Sequence, residues 1–522
     1  MARKAKKAQK EVELKLEDVL WNCRDITRGK GGMAVRRDTI LTLFFLKFIS
    51  EKFIKQRQKL IDKGTPEMFL ETPEFYQQDG AFFLPEECRW ETLLTVESNK
   101  LALTIDDICA RLDKEDPSLQ GALPQKLFSD SKIEGKVFKS LMDEINKISE
   151  SNFHDKDLVG RVYEYFLQEF SMNAEKEEGE FYTPRSVVQL IAEMIEPYDG
   201  IVYDPCCGSG GMFVQAQKFV EAHNGQVRSL SVYGQESNPE TFRLAKMNLA
   251  VRGISYNLGE TAASTFTNDQ HKTLRAKYIM ANPPFNLKKW RTEGELVSDP
   301  RWSGYEVPPI SNANYAWILH MLSRLDPANG IAGFLLANGA LADEDAKNIR
   351  KQLIENDKIE AIVVLPREMF YSTDISVTLW IVNQNKKART FHGRKLRDRS
   401  NEILFVDLRT WNQNIYEKKY VQLGQDQIDS AVDIYRNWQA EGVVSGNYAK
   451  PELYRSVSKD IISKNDYSLV PSRYIEFVDR DKDIDYEKIM AETSEVAFDL
   501  LKRQQANQEA LKRALKELGY GL

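Results

Sequence analysis

The stretch Ile201-Val-Tyr-Asp-Pro-Cys-Cys-Gly-Ser-Gly-Gly-Met212 decides the fold. It leads from an apolar strand through a glycine-rich turn into a segment with helical spacing. Gly208, Gly210 and Gly211 allow the backbone to turn tightly and to approach a ligand closely, which a Cβ would prevent. Because the strand ends at Asp204, a carboxylate stands at the mouth of the turn. The stretch therefore predicts an α/β unit with a ligand at its glycine turn.

The alternation of strand and helix continues after this unit. Four further β-rich runs, separated by helix candidates, occur at 230–234, 278–281, 331–336 and 359–365. Such alternation predicts a mostly parallel sheet that is covered by helices on both faces. A later run at 376–382 is followed by polar residues instead of a helix, so we expect it to form an antiparallel hairpin with 402–406.

Helical periodicity dominates both sides of this region. Before it, apolar residues recur at helical spacing, most densely over 41–53. After about residue 425 the chain is charged and helical again, and its last part has the spacing of an amphipathic helix. We expect a helical N-terminal domain over 1–173, an α/β domain over 174–424 and a helical C-terminal region over 425–522. The terminal helix either packs on its own domain or docks on another subunit.

Composition narrows the class of protein. Of the 522 residues, 42% are hydrophobic and 29% are charged, which is typical of a soluble globular protein. The chain starts with basic residues but no apolar run follows, and no stretch of about 18 apolar residues occurs, so we expect neither a secretory signal nor a membrane span. Its five cysteines include no C-x-x-C pair, and its five histidines lack metal-ligand spacing. We expect a reducing cytoplasm and no metal site.

The residues around the glycine turn indicate the kind of ligand. The G-x-G-x-x-G spacing of dinucleotide sites is absent, and a carboxylate at Asp204 suits a cationic amino group better than a pyrophosphate. S-adenosylmethionine (SAM) carries such an amino group. The second strand is followed by Glu236, which can accept hydrogen bonds from both ribose hydroxyls, although it lies further along the chain than the usual spacing of about twenty residues. The predicted SAM site includes Asp204, Gly208, Ser209, Gly210, Gly211 and Glu236.

A second motif, Tyr278-Ile-Met-Ala-Asn-Pro-Pro-Phe285, contains the candidate catalytic residues. An exocyclic amine presents two hydrogens and a lone pair that is delocalised into its ring. The side-chain oxygen of Asn282 and a backbone carbonyl can accept those hydrogens, so that the lone pair points at the methyl group of SAM. Two prolines stiffen the backbone, and the aromatic ring offers a flat face to an extruded base. We expect the catalytic residues to be Asn282, Pro283, Pro284 and Phe285.

Together these motifs resemble a known family. Asp204-Pro-Cys-Cys-Gly-Ser-Gly-Gly211 followed by Asn282-Pro-Pro-Phe285 looks like the amino-methyltransferases that act on DNA adenine. Over most of its length the chain resembles the modification subunits of type I restriction–modification systems, including Glu180-Phe-Tyr-Thr-Pro-Arg185 and Asn465-Asp-Tyr-Ser-Leu469. The resemblance implies a Rossmann-like SAM-dependent methyltransferase domain, methyl transfer to N6 of a flipped adenine in double-stranded DNA, and a prokaryotic cytoplasm.

The resemblance adds residues to the expected SAM site. The motif before the glycine turn contributes Glu180, Phe181, Tyr182, Thr183, Pro184 and Arg185. Physical reasoning supports this motif, because Thr183 is placed as a helix N-cap with Pro184 at the first helical position, so that the amides of the turn face a ligand. At the family's third acidic position this chain has Glu260 instead of the expected Asp, and we assign it to the adenine of SAM.

The net charge of the chain and the number of residues after the catalytic motif indicate which partners it needs. The net charge is −6, whereas proteins that bind duplex DNA tightly by themselves usually have a basic excess. After Phe285 the sheet pattern leaves no block of domain size, on the order of 150 residues, for target recognition. Both observations predict a separate specificity subunit that reads the sequence. In type I systems, which this chain resembles, two modification subunits join one specificity subunit, and a restriction subunit can be added. We expect the docking surface in the terminal helical region.

Basic residues near the motifs are candidates for DNA contact. Lys288, Lys289, Trp290 and Arg291 directly follow the catalytic motif, which favours them for the target strand. The densest basic stretch, 386–399, is either a hairpin that touches phosphates or a solvated loop.

Other functions fit parts of the sequence. Protein-glutamine and RNA methyltransferases also use Asn-Pro-Pro before an aromatic residue, but typically a tyrosine and in shorter chains. A catalytically silent SAM-binding scaffold is disfavoured by the intact motif, and a NAD oxidoreductase by the spacing of the glycines. We expect Cys206 and Cys207 to be packing residues, because they lie inside the cofactor turn instead of on a mobile loop after it.

Overall fold

The computed structural model describes residues 18–77, 81–148, 162, 165, 183–223, 229–370, 376–416, 420–478 and 486–519. Within these ranges the chain forms a helical N-terminal part, a ten-stranded sheet with helices on both faces and a long C-terminal helix. The predicted fold class is confirmed. No helix in these ranges is long and apolar enough to cross a membrane.

The N-terminal part is built around the 30-residue helix Met33–Asp62. Residues 37–51 of this helix are all buried, because shorter helices cover its apolar middle. The covering helices are residues 18–26, Glu74–Gln77, Trp90–Leu94, Leu101–Glu115, Leu127–Asp130 and Gly135–Ile145. The apolar run at 41–53 therefore lies at the centre of the N-terminal core.

The main sheet contains ten of the strands. In chain order the strands are β1 Gly200–Asp204, β2 Leu230–Gly234, β3 Tyr256–Asn257, β4 Tyr278–Ala281, β5 Ile331–Ala337, β6 Ile359–Val364, β7 Val377–Asn383, β8 Arg389–Phe391, β9 Arg394–Leu396, β10 Glu402–Asp407, β11 Ile415–Tyr416, β12 Tyr420–Val421, β13 Ala449–Lys450 and β14 Tyr454–Ser458. Their spatial order in the main sheet is β13-β14-β10-β6-β7-β5-β4-β1-β2-β3. The pairs β8–β9 and β11–β12 form separate two-stranded sheets.

Strands β3, β2, β1, β4 and β5 run parallel to one another, so the turns after β1, β2 and β4 meet at one edge of the sheet. Strand β7 is antiparallel, as expected, but the predicted hairpin with 402–406 is wrong. β7 inserts between β5 and β6, whereas β10 pairs with β6 and β14. All seven residues of β7 are buried, and a strand that is apolar on both faces is most stable inside a sheet.

Helices cover both faces of the sheet, as the alternating pattern predicts. One face carries Arg185–Ile195, Gly211–Ala222, Pro239–Val251 and Gln425–Gln439. The other carries Asn314–Arg324, Lys347–Glu355 and Lys459–Lys464. Residues 425–478 thus pack on the sheet or form part of it. Through β13 and β14 the sheet continues past residue 424, where we expected the α/β domain to end.

Helix Pro239–Val251 joins the sheet to the N-terminal part. Leu244, Met247, Ala250 and Val251 on this helix are members of the N-terminal core. Polar contacts reinforce the junction, since the Lys246 ammonium donates to the Gln120 carbonyl at 2.9 Å. The helical N-terminal part therefore lies beside the β2–β3 end of the sheet.

The last helix, Tyr486–Glu517, differs from the others in its exposure. Over 487–519 every side chain is exposed except that of Leu515, which is half-buried. Of the two alternatives for the terminal helix, packing on its own domain is therefore wrong for the chain alone.

Candidate active site

The glycine turn lies between β1 and the helix Gly211–Ala222. Gly208 and Gly210 have φ angles of 54° and 83°, which lie in the left-handed region that favours glycine. A Cβ on Gly208 or Gly211 would meet no atom of the described chain within 4 Å, so the turn faces open space at these two positions. The carbonyl of Ser209 accepts a hydrogen bond from the Asn248 side chain at 2.7 Å, which fastens the turn to the neighbouring helix.

Two carboxylates flank this open space. Asp204 is buried at the end of β1, and burial raises its pKa to about 7, with a further rise from the charge of Glu236. Glu236 accepts hydrogen bonds from the backbone N–H groups of Gly208 at 3.0 Å and Asn238 at 2.8 Å. The two acidic residues predicted from separate strand ends are thus brought to one site.

Asn282 follows β4 at the same edge. Its side-chain nitrogen donates a hydrogen bond to the Thr183 hydroxyl at 2.9 Å. Its side-chain oxygen is buried, and no group in the described ranges donates to it. Buried polar atoms are nearly always paired, so an orphaned acceptor at this position fits a donor that arrives with a ligand.

Phe285, three residues after Asn282, belongs to an aromatic pair. The ring of Phe285 lies against that of Phe370, with centroids 6.0 Å apart and planes at 78°. Phe370, which follows β6, is not identified by the sequence analysis. The available signal is an aromatic residue shortly after a parallel strand, because such strand ends meet at one edge of the sheet.

The motif before the glycine turn is only partly described. Glu180, Phe181 and Tyr182 lie outside the described residues. Pro184, not Thr183, is the N-cap of the helix Arg185–Ile195, so the predicted capping role of Thr183 is wrong. Instead of capping a helix, the Thr183 hydroxyl accepts a hydrogen bond from the side-chain nitrogen of Asn282. Arg185, the first residue of the helix, is exposed.

Glu260 lies in the loop after β3, and its carboxylate is exposed. Its backbone N–H donates to the Gln270 side chain at 2.7 Å. The fully buried Gln235 holds the same loop, because its side-chain nitrogen donates to the carbonyls of Ala263 at 3.0 Å and Asn268 at 2.8 Å. Sequence reasoning missed Gln235, since its partners lie far along the chain and leave no local pattern.

The basic candidates separate into exposed and buried residues. Lys288 and Lys289 are exposed, but Trp290 and Arg291 are buried. The Arg291 guanidinium donates to the Pro308 carbonyl at 3.0 Å and to two further carbonyls. The expected DNA contact by Trp290 and Arg291 is therefore wrong for this conformation, because both side chains serve the protein's own packing.

The basic stretch 386–399 lies at the opposite edge of the sheet. Since β7 runs antiparallel, its end at Asn383 lies next to Ile331, where β5 begins. Arg399 is fully buried against Glu360 at 2.8 Å, and Lys386 pairs with Asp357. The stretch contains the antiparallel pair β8–β9, so the hairpin alternative is correct and the solvated-loop alternative is wrong. The hairpin does not lie at the glycine turn, and its contact with phosphates stays a prediction.

The cysteines of the turn fit the expected packing role. Burial raises the pKa of the Cys206 and Cys207 thiols well above the usual value. Because the thiolate is the reactive form, neither residue has the environment of a catalytic nucleophile.

Comparison with known proteins gives the family. A family model described as N-6 DNA Methylase matches residues 154–483, and one described as the HsdM N-terminal domain matches residues 16–145. The chain is 36% identical over 470 residues to the methylase subunit of the type I restriction enzyme HindI from Haemophilus influenzae, covering 84% of this chain and 100% of that relative. It is 32% identical over 531 residues to the MjaIX methylase subunit from Methanocaldococcus jannaschii, covering 98% and 92%.

A solved structure agrees in fold. The type I restriction–modification methyltransferase subunit from Streptococcus thermophilus superposes with a TM-score of 0.69 at 22% identity, covering 88% of this chain and 99% of that one. The chain belongs to the N-6 DNA methylase family, among the methylase subunits of type I restriction enzymes, and is an adenine-specific DNA methyltransferase.

Proposed function

We propose that this chain transfers a methyl group from SAM to N6 of a flipped adenine in double-stranded DNA, within a complex whose sequence choice comes from a specificity subunit. The observation that carries the proposal is the side-chain oxygen of Asn282. It is a buried acceptor without a donor among the described residues, and it lies at the sheet edge that holds the glycine turn. The exocyclic amine of adenine is the donor that this acceptor would receive.

The residues at the turn fit SAM. Asp204 supplies a buried carboxylate for its amino group, the open space at Gly208 and Gly211 admits a ligand, and Glu236 is held in place by backbone amides near the expected ribose. Bound there, SAM supplies an electrophilic methyl group on a sulfonium. The rest of the proposed cofactor site comprises Glu180, Phe181, Tyr182, Thr183, Pro184, Arg185, Ser209, Gly210 and Glu260.

The chain's own residues would orient the amine. Asn282 accepts one amine hydrogen, and a backbone carbonyl of the Pro283-Pro284 turn accepts the other, which favours a pyramidal nitrogen with its lone pair free. Phe285 stacks on the extruded base, and its contact with the nearly perpendicular ring of Phe370 helps to hold it in place. Catalysis then comes from orientation and from acceptors placed in advance, and it needs no covalent enzyme intermediate.

The C-terminal helix is the proposed docking surface for the specificity subunit. Ile489, Val496, Leu500 and Leu511 are 47% to 60% exposed and share one face of the helix. A long helix with such a face is stabilised by packing on a partner. We place two modification subunits on one specificity subunit, with a restriction subunit in the complete prokaryotic cytoplasmic complex, and we assign Lys288 and Lys289 to the DNA.

The test is methyl transfer from labelled SAM to DNA, with and without the co-expressed specificity subunit, followed by identification of the methylated nucleoside. We expect N6-methyladenine only when the specificity subunit is present. Activity of the chain alone would contradict the dependence on that subunit. Label recovered on protein or RNA would overturn the assigned substrate.

A further inference from the structure

The catalytic motif ends in an unusual backbone conformation. Asn286, the residue after Phe285, has a φ of 53°, in the left-handed region that non-glycine residues seldom adopt. Asparagine tolerates this region better than most residues, but at some cost in energy. A turn with such a residue keeps one conformation only if its surroundings hold it there.

The turn is held by Asn314, the first residue of the helix Asn314–Arg324. The side-chain oxygen of Asn314 accepts from the backbone N–H of Asn286 at 3.0 Å, and its side-chain nitrogen donates to the Asn286 side-chain oxygen at 2.8 Å. A third bond, from the Ala313 N–H to the Leu287 carbonyl at 2.9 Å, lies beside this pair. One buried amide thus binds both the backbone and the side chain of the strained residue.

We propose that Asn314 is a positioning residue for methyl transfer, because it fixes the turn that carries Asn282 and Phe285. It acts through Asn286 and not through the reacting atoms. The fixed residue, Asn286, directly follows Phe285, on whose ring the base stacks, so a loosened turn would displace that ring. A displacement of about 1 Å can lower the rate of an enzyme on the order of 100-fold. This inference rests on the proposed function.

The chemistry of the pair explains why an amide is needed. A primary amide offers one acceptor and one donor at fixed spacing, which matches the N–H and the side-chain oxygen of Asn286. Aspartate at position 314 would keep the acceptor and lose the donor. Alanine would lose both.

The exposure of Asn286 separates positioning from stability. Because Asn286 is exposed, water can satisfy its polar groups after Asn314 is removed, and the apolar neighbours of Asn314 in the helix remain packed. We call the two hydrogen bonds between Asn314 and Asn286 the Asn314 clamp. Its loss should therefore make the turn more mobile without unfolding the protein.

The test uses the complex of this chain with its specificity subunit. We expect Asn314→Ala to lower kcat about 10- to 100-fold, with the Kd for SAM within about twofold and the Tm nearly unchanged, and Asn314→Asp to be intermediate. Asn329→Ala, which removes an exposed asparagine at the amino end of β5, is the matched control and should behave as wild type. In a double-mutant cycle, Asn286→Gly combined with Asn314→Ala should be no slower than Asn314→Ala alone.

Two results would overturn the proposed positioning role of Asn314. One is a kcat of Asn314→Ala equal to that of wild type. The other is a fall in kcat that is accompanied by parallel losses of Tm and SAM affinity, which would indicate a structural role. If the wild-type complex itself forms no N6-methyladenine, the proposed function is wrong, and the positioning role of Asn314, which rests on it, is wrong as well.

Discussion

The amide of Asn282 is asymmetric in its bonding, with its nitrogen on Thr183 and its buried oxygen unpaired among the described residues. An unpaired buried acceptor costs about 1–3 kcal/mol, so the protein stores this cost until a donor binds. We expect Asn282→Ala to lower kcat at least about 100-fold, the scale seen when one preorganised polar contact to the transition state is lost. The Tm, measured by differential scanning calorimetry, should not fall. A variant that loses Tm together with activity would contradict this account.

Thr183 offers a sharper substitution, because its hydroxyl holds Asn282 and can be removed without a change of shape. Thr183→Val leaves the Asn282 nitrogen without its acceptor, so we expect kcat to fall roughly tenfold, the scale of one hydrogen bond of about 1 kcal/mol or more. Thr183→Ser keeps the hydroxyl and should retain most of the activity. Steady-state kinetics and the Kd for SAM check both variants. A large change in SAM affinity with unchanged kcat would instead make Thr183 a cofactor contact alone.

The buried carboxyl of Asp204 predicts a pH dependence of SAM binding. Burial raises its pKa to about 7, so the carboxyl is mostly protonated below that pH and mostly ionised above it. A cationic amino group binds the ionised form, and affinity for SAM should therefore fall as the pH is lowered, by about tenfold per unit well below pH 7. Titration calorimetry between pH 6 and pH 8.5 measures this. Asp204→Asn should bind weakly and with no such slope, and a slope that persists in this variant would refute the assignment.

Sequence reasoning identifies site residues when their position follows from a strand end. Asp204 ends strand β1, and Glu236 and Asn282 come shortly after β2 and β4, so their convergence at one end of the parallel strands could be predicted. Phe370 follows strand β6 and could have been identified by the same reasoning, whereas Asn314 could not, because its contacts with Asn286 join residues that are distant in the chain. Arg291 shows the converse error, since a basic residue beside a catalytic motif resembles a nucleic-acid contact until its burial is known.

At the scale of the element, the alternation of strands and helices predicts most of the sheet, and the failures concern pairing. The apolar pattern over 376–382 predicts a strand at β7, but which neighbours this strand joins depends on packing across the sheet. Strands β13 and β14 cannot be predicted from the sequence pattern, because they are short and polar, as in Tyr454-Arg-Ser-Val-Ser458, and do not alternate. Their place at the edge of the sheet follows from pairing with β10.

The C-terminal helix carries its own prediction. Deletion of the residues after Asp485 should abolish assembly with the specificity subunit but leave SAM binding intact, because no predicted SAM residue lies in this segment. A single charge on the apolar face, Leu500→Glu, should weaken assembly strongly. Phe498→Glu is the matched control, since Phe498 is 76% exposed and lies on a different face of the helix. Co-purification from cells and gel filtration measure assembly, and retained assembly of the deleted chain would contradict the docking surface.

At the scale of the whole molecule, helix Pro239–Val251 couples the N-terminal part to the cofactor site. The helix begins three residues after Glu236, and its two sides belong to different cores. Phe242, Ala245 and Leu249 pack with the sheet, whereas Leu244 and Met247 pack with the N-terminal helices. A ligand that stabilises the turn after β2 therefore stabilises a helix on which the N-terminal core also depends.

This shared helix predicts that the two parts unfold together. Met247 is 2% exposed in the N-terminal core, and Met247→Ala should lower the free energy of unfolding by about 2–5 kcal/mol through the cavity it leaves. Met68→Ala is the matched control, because Met68 is 76% exposed on the N-terminal part and its loss should change stability by no more than about 0.5 kcal/mol. Saturating SAM should raise the temperature of the whole transition, since a ligand that binds only the folded state stabilises every part that unfolds with its site. Calorimetry with and without SAM measures all three effects. If the N-terminal part instead unfolds in a separate transition whose temperature does not change with SAM, the two cores are energetically independent. Helix Pro239–Val251 then connects them without coupling their stabilities.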